Sequence, residues 1–208
     1  MASEIIIVSG LPRSGTSLMM QMLESGGVPI VTDHIRAPDE DNPKGYREFE
    51  LAKKIEKDTT WLPATRGKAF KMVSQLLFHL PPTERYRIIF MERDLDEMLI
   101  SQEKMLKRLG RPGAPHEEMK QAFVRHLDKV HRWLNSQPHV TILRVSYKDL
   151  LHRPAELAEQ VRSFLAQDLN IEKMTQTVDR SLYRNRRESR VGETHPTPPA
   201  PEADAEEE

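Results

Sequence analysis

Glu4-Ile5-Ile6-Ile7-Val8-Ser9-Gly10-Leu11-Pro12-Arg13-Ser14-Gly15-Thr16-Ser17 is the stretch that decides the fold. Ile5 to Val8 is a continuous apolar run rich in β-branched residues, the pattern of a parallel strand buried on both faces. The run stops at Ser9-Gly10. After Ser17 the apolar residues Leu18, Met19, Met22 and Leu23 recur at helical spacing until Gly26-Gly27 ends them. A strand, two glycines separated by four residues, then Thr-Ser opening a helix build a phosphate cradle. Backbone N–H groups of the loop and of the helix's first turn point inward, and the helix dipole favours an anion there.

The loop departs from G-x-x-x-x-G-K-[ST], the pattern of nucleoside triphosphatases. Thr16 stands at the lysine position, and the fixed cation, Arg13, lies inside the loop. A triphosphatase sets that lysine on the β- and γ-phosphates and the next hydroxyl on Mg²⁺. Without the lysine, triphosphate hydrolysis loses its main charge neutraliser.

Composition narrows the classes further. A chain of 208 residues is expected to form one main domain with a substantial core. Its net charge is −1, and the last eight residues carry five acids and no base. The mild positive excess left for the rest suits a small anionic ligand and is too weak for a nucleic-acid binder. The absence of cysteine excludes disulfides, thiolate metal sites and a cysteine nucleophile. No apolar run reaches membrane-spanning length and no basic leader precedes the first strand, so a cytoplasmic chain with no membrane partner is expected.

Along the chain, Val28 to Val31 reads as a second strand, ending at Thr32-Asp33-His34, where open α/β sheets place ligands. A turn-rich loop, 38–45, leads to an expected helix over Tyr46 to Lys57. Lys68 to Val73 and Arg87 to Met91 read as strands, with a short helix over Ser74 to Leu80 between them. Asp94 with Glu97 three residues on forms a capping-box-like helix start. Glu117 to Leu134 is a long amphipathic helix, Val140 to Val145 a strand, and Pro154 to Leu165 a helix. Residues 1–190 are read as the folded domain, and the Pro-rich, acidic stretch 191–208 as a disordered tail. The expected class is α/β, a three-layer sandwich whose central parallel sheet is flanked by helices.

Pro12-Arg13-Ser14-Gly15-Thr16-Ser17 resembles the 5′-phosphosulfate loop of sulfotransferases, which use 3′-phosphoadenosine 5′-phosphosulfate (PAPS) and release the 3′,5′-bisphosphate (PAP). Arg93, followed eight residues later by Ser101, is similar to that family's 3′-phosphate pattern. Arg supplies a planar fork for a phosphate dianion, and Ser adds a hydroxyl from the same helix face. Asn42-Pro-Lys-Gly-Tyr-Arg-Glu48 resembles a segment of bacterial members, Tyr147 stands where the family's tyrosine lies near the adenine, and Lys71 takes the place of its catalytic lysine. The resemblance implies a P-loop NTPase-like fold and metal-independent sulfuryl transfer to a hydroxyl or amine acceptor, a small molecule or a glycan. It implies that Arg13, Ser14, Gly15, Thr16 and Ser17 hold the 5′-phosphosulfate, that Arg93, Ser101 and Tyr147 hold the rest of the nucleotide, and that Lys71 neutralises the leaving oxygen. Two departures stand out. The histidine of cytosolic members is Val73 here, and their C-terminal Arg-Lys-Gly loop has no counterpart unless the basic stretch 184–190 serves. Glu48 is the first choice of general base, then Asp33 and His34. A P-loop kinase or triphosphatase and an inactive nucleotide-binding protein on the same fold are the alternatives; the acceptor and homodimerisation are left open.

Overall fold

In the computed structural model, which describes residues 4–33, 35, 37–39, 42, 45–179 and 181, strand β1 (Ile5–Gly10) is buried at every position. Burial on both faces is what a β-branched apolar run is suited to. β1 is flanked by β2 (Ala69–Val73) on one side and β3 (Tyr86–Glu92) on the other, and β4 (Val140–Ser146) follows β3. All three pairings are parallel, in the order β2-β1-β3-β4. Because the chain steps first to one side of β1 and then to the other, a crevice opens at the carboxyl ends of the central strands, the place where such sheets bind ligands.

Period-two alternation sends β1 side chains to two cores. Ile6 and Val8 pack with Met19, Met22 and Leu23 of α1 (Thr16–Gly26) and with Leu157 and Val161 of α5 (Pro154–Leu165). Ile5 and Ile7 pack on the opposite face with Phe70, Phe90 and the Val130 and Leu134 side chains of α3 (His116–Ser136). An edge-to-face set of rings, Phe49, Trp61 and Phe70, fills this second core, with centroids 5.2 and 5.3 Å apart at the two Trp61 contacts. The result is three layers, helices on both faces of one parallel sheet, the class expected from the sequence. α2 (Leu95–Arg108), α4 (Tyr147–His152) and α6 (Ile171–Gln176) complete the α-helices of the described residues.

Two elements differ from expectation. Val28 to Val31 does not form a strand: Ala69 N donates to Pro29 O and Val31 N to Ala69 O, both at 2.8 Å, and the chain then turns away. Pro29 has no N–H to offer a longer ladder. Tyr46 to Lys57 is helical only as a short 3-10 turn, Glu50–Lys54. The carbonyls that would start a helix are already engaged: Tyr46 O accepts from Lys71 Nζ and Ser17 Oγ, and Glu48 O from Thr32 Oγ1 and Asp33 N. Tertiary hydrogen bonds outweigh local propensity there. The tail 191–208 and the basic stretch 184–190 lie outside the described residues.

The N-cap half of the capping box forms. Asp94 Oδ1 accepts from Glu97 N at 3.0 Å and fixes the start of α2 directly after β3. Replacing Asp94 by Ala is expected to lower unfolding free energy by about 1 kcal/mol, measured by urea denaturation.

Candidate active site

The loop 10–15 bends sharply because three of its residues hold positive φ: Gly10 at 153°, Arg13 at 69° and Gly15 at 99°. At Gly10 a Cβ would meet Met91 O at 2.6 Å, so the loop can lie against β3 only with glycine there. At Gly15 a Cβ would meet Tyr147 Cδ2 at 2.4 Å, so the same holds where α1 begins against α4. These two glycines bring backbone N–H groups and the α1 N-terminus to the floor of a cavity of about 560 Å³, a size suited to a small organic ligand.

Of the residues picked out from the sequence, Arg13, Gly15, Thr16, Ser17, Glu48, Lys71, Arg93, Ser101 and Tyr147 all line this one cavity. Ser14 does not. It is buried beneath the loop, its N–H turned to Leu11 O at 3.2 Å and its Oγ without a hydrogen-bond partner among the described residues. Asp33 is also outside the lining. Its Oδ2 accepts from Glu50 N at 2.6 Å and its Oδ1 from Ile35 N at 3.1 Å. Burial pushes its carboxyl up, but these bonds and Lys53 outweigh that and hold it below the usual range, so it is a poor proton acceptor. His34 lies outside the described residues.

The lining residues fall into two groups. In the first, Lys71 projects from β2 with its Nζ 3.2 Å from Ser17 Oγ, 2.5 Å from Tyr46 O and 3.9 Å from Glu48 Oε1. Glu48 is held on its other oxygen by Lys53 Nζ at 2.9 Å. An ammonium and a carboxylate therefore face one space beside the α1 N-terminus.

The second group gathers where β3 ends. Arg93 donates from Nε to Glu97 Oε2 at 3.3 Å and from Nη1 to Arg13 O at 3.1 Å, and its guanidinium lies 4.6 Å from the Tyr147 ring centroid. Stacking and two hydrogen bonds hold the planar fork in place before any anion arrives. Ser101, buried two turns into α2, accepts from Arg13 Nε at 3.1 Å. The loop that was expected to serve the 5′ end alone is thus tied by its own arginine to α2.

Sequence reasoning missed Tyr46 and Lys53 as lining residues, although Tyr46 sits within the same short segment as Glu48. Asp179, from the chain's return past α6, also lines the cavity; nothing in its local sequence marks it. No helix among the described residues is long and apolar enough to cross a membrane.

The family model described as "Sulfotransferase domain" matches residues 3–206. Among solved structures, the chain is similar to the sulfotransferase domain from the curacin biosynthetic pathway, with 14% identity and a TM-score of 0.52 over 85% of this chain and 78% of that one. It is also similar to mouse sulfotransferase SULT7A1 complexed with PAP, with 16% identity and a TM-score of 0.56 over 86% of this chain and 66% of that one. At such identities the likenesses speak to the fold. No curated protein matches the chain. Sulfotransferases take a sulfuryl group from PAPS and release PAP, so the kinase and triphosphatase alternative is not favoured. On the family match over 3–206, the chain belongs to the sulfotransferase family, and it is a PAPS-dependent transferase with the P-loop-like α/β fold.

Proposed function

We propose that the two groups of residues seat the two ends of PAPS: Thr16, Ser17, Lys71 and the α1 N-terminus the 5′-phosphosulfate, Arg93 and Ser101 the 3′-phosphate. One observation carries this reading: both anion-binding groups line a single cavity and meet across Tyr147 and the loop. The residues present fit such a donor, since the hydroxyls of Thr16, Ser17 and Ser101 and the cations Lys71 and Arg93 line the same cavity.

When bound, PAPS would supply a sulfuryl group whose bond to the 5′-phosphate oxygen breaks as sulfur bonds to the acceptor oxygen or nitrogen. Lys71 neutralises the charge gained by the leaving phosphate oxygen, a role that matters most in the transition state. The Ser17 hydroxyl, bonded to Lys71 Nζ, steadies that ammonium. Glu48 accepts the acceptor's proton, kept in place by Lys53. The acceptor is a hydroxyl or amine of a small molecule or glycan, found by mass spectrometry of sulfated products after incubation with labelled PAPS.

Calorimetry tests the donor reading. PAP is expected to bind without metal, and ATP with Mg²⁺ to bind far more weakly; the reverse preference would overturn it. Arg93→Ala is expected to weaken PAP more than tenfold, about 1.4 kcal/mol or more. Unchanged affinity would remove Arg93 from the 3′ end.

A further inference from the structure

We propose that Tyr46 is a positioning residue for Lys71, and that an Asp39–Arg108 ion pair at the far end of its side chain latches it to α2. This rests on placing Lys71 at the leaving oxygen.

Tyr46 meets the ammonium with two of its parts. Its carbonyl oxygen accepts from Lys71 Nζ at 2.5 Å, and its ring centroid lies 5.7 Å from the same nitrogen. A backbone carbonyl points where the local dihedrals send it, and here they are unusual. Gly45 and Arg47, on either side, hold φ of 86° and 46°. Glycine adopts that conformation freely, whereas arginine does so under strain, which persists only where the surroundings enforce it. Arg47 is held by Glu24 Oε2 of α1, at 3.1 Å from Nε and 3.0 Å from Nη2, and Gly45 O accepts from Gln21 Nε2 of α1 at 3.3 Å. The kink is therefore fastened to α1 on both sides of Tyr46, and it turns the Tyr46 carbonyl onto Lys71.

The far end of the side chain is fastened too. Tyr46 is buried, and its hydroxyl donates to Asp39 Oδ1 at 2.7 Å, a bond strengthened by the carboxylate's charge. Asp39 Oδ2 in turn accepts at 3.4 Å from Nη2 of Arg108, the last residue of α2. One line of contacts thus runs from α2 through Asp39 and Tyr46 to Lys71 on β2. A lysine side chain has much rotamer freedom to lose, and an ammonium aids bond breaking only if it is already aimed when charge develops. Tyr46 supplies that aim.

Tyr46→Phe removes the hydroxyl and keeps the ring. In the full chain with PAP bound and lysine isotopically labelled, NMR detects an ammonium that is held and sheltered from fast exchange, and Lys71→Met identifies the Lys71 signal by its loss. Tyr46→Phe is expected to shift or broaden that signal; an unchanged signal would overturn the proposal. Turnover is read with labelled PAPS and the acceptor identified by its sulfated product. Tyr46→Phe is expected to lower kcat about tenfold, the kind of loss a small misplacement of a reacting group causes, with PAP affinity within about twofold. In a Lys71→Met background the same change should cost less than about twofold, because no ammonium is left to aim. A full tenfold loss there would mean that Tyr46 acts without Lys71, and the proposal fails. Arg108→Gln breaks the latch outside the cavity lining and is expected to lower kcat about threefold, a weaker form of the same misplacement; it also serves should Tyr46→Phe fold poorly, as a melting curve would reveal. An unaltered kcat in Arg108→Gln would cut the latch from the proposal. Failure of the underlying reading shows in a different protein: Lys71→Met with an unaltered kcat would remove Lys71 from the chemistry, while the NMR signal still reports whether Tyr46 holds it.

Discussion

Lys71→Met is expected to lower kcat for sulfuryl transfer by about 100- to 1,000-fold, the range found when one preorganised donor to a developing oxyanion is removed, while PAP affinity changes only a few-fold. The reason is differential binding. The bound donor spreads charge over its phosphosulfate, but in the transition state charge concentrates on the oxygen left on the 5′-phosphate, and an ammonium fixed beside that position gains strength as the bond breaks. Lys71 is fixed. Its side chain is 11% exposed, and Ser17 Oγ and Tyr46 O hold its Nζ from two sides. Met keeps the unbranched stem and roughly the volume, so β2 should pack as before. Steady-state kinetics with labelled PAPS and calorimetry with PAP give the two quantities separately. A variant that loses PAP affinity by the same factor as kcat would make Lys71 a binding residue, and one that keeps its kcat would remove it from the chemistry.

What could be read from the sequence was local and periodic. β1, the glycine loop and α1 are contiguous, and each carries its own signal: a β-branched run, two glycines at positive φ, then helical spacing. Arg93 and Ser101 were legible because the end of β3 and two turns of α2 fix their relation within one stretch of chain. The segment 46–54 was not legible, since its shape is set by partners far away in sequence: Lys71 and Ser17 bind the Tyr46 carbonyl, Thr32 and Asp33 that of Glu48. The direction of Arg13 was hidden for the same reason. A loop arginine at the phosphate cradle suggests the 5′ end, and only the packing of α2 beside the loop reveals that its Nε meets Ser101. Val28 to Val31 misled because an apolar run reads alike whether it pairs along its length or touches a sheet edge at one residue.

Gly15→Ala should be strongly damaging for a single-methyl change. Two costs act together. At φ 99° an L side chain is strained by about 1–2 kcal/mol, and the new Cβ would stand 2.4 Å from Tyr147 Cδ2, an overpacking of the kind that costs about 1–3 kcal/mol. The ring has little room to retreat, being buried at the start of α4 with the Arg93 guanidinium stacked near it. A ring that does move takes that stacking with it, so PAP affinity should fall along with stability, by more than in Arg93→Ala. Urea denaturation is expected to show a loss of about 3.5 kcal/mol, the sum of the two costs at their midpoints. Removing the ring separates them. In a Tyr147→Ala background the added methyl meets open space and only the backbone strain remains, so Gly15→Ala should cost roughly half as much there as in the wild type. Strict additivity of the two changes would mean that the methyl never presses on the ring, and that this glycine answers to backbone conformation alone.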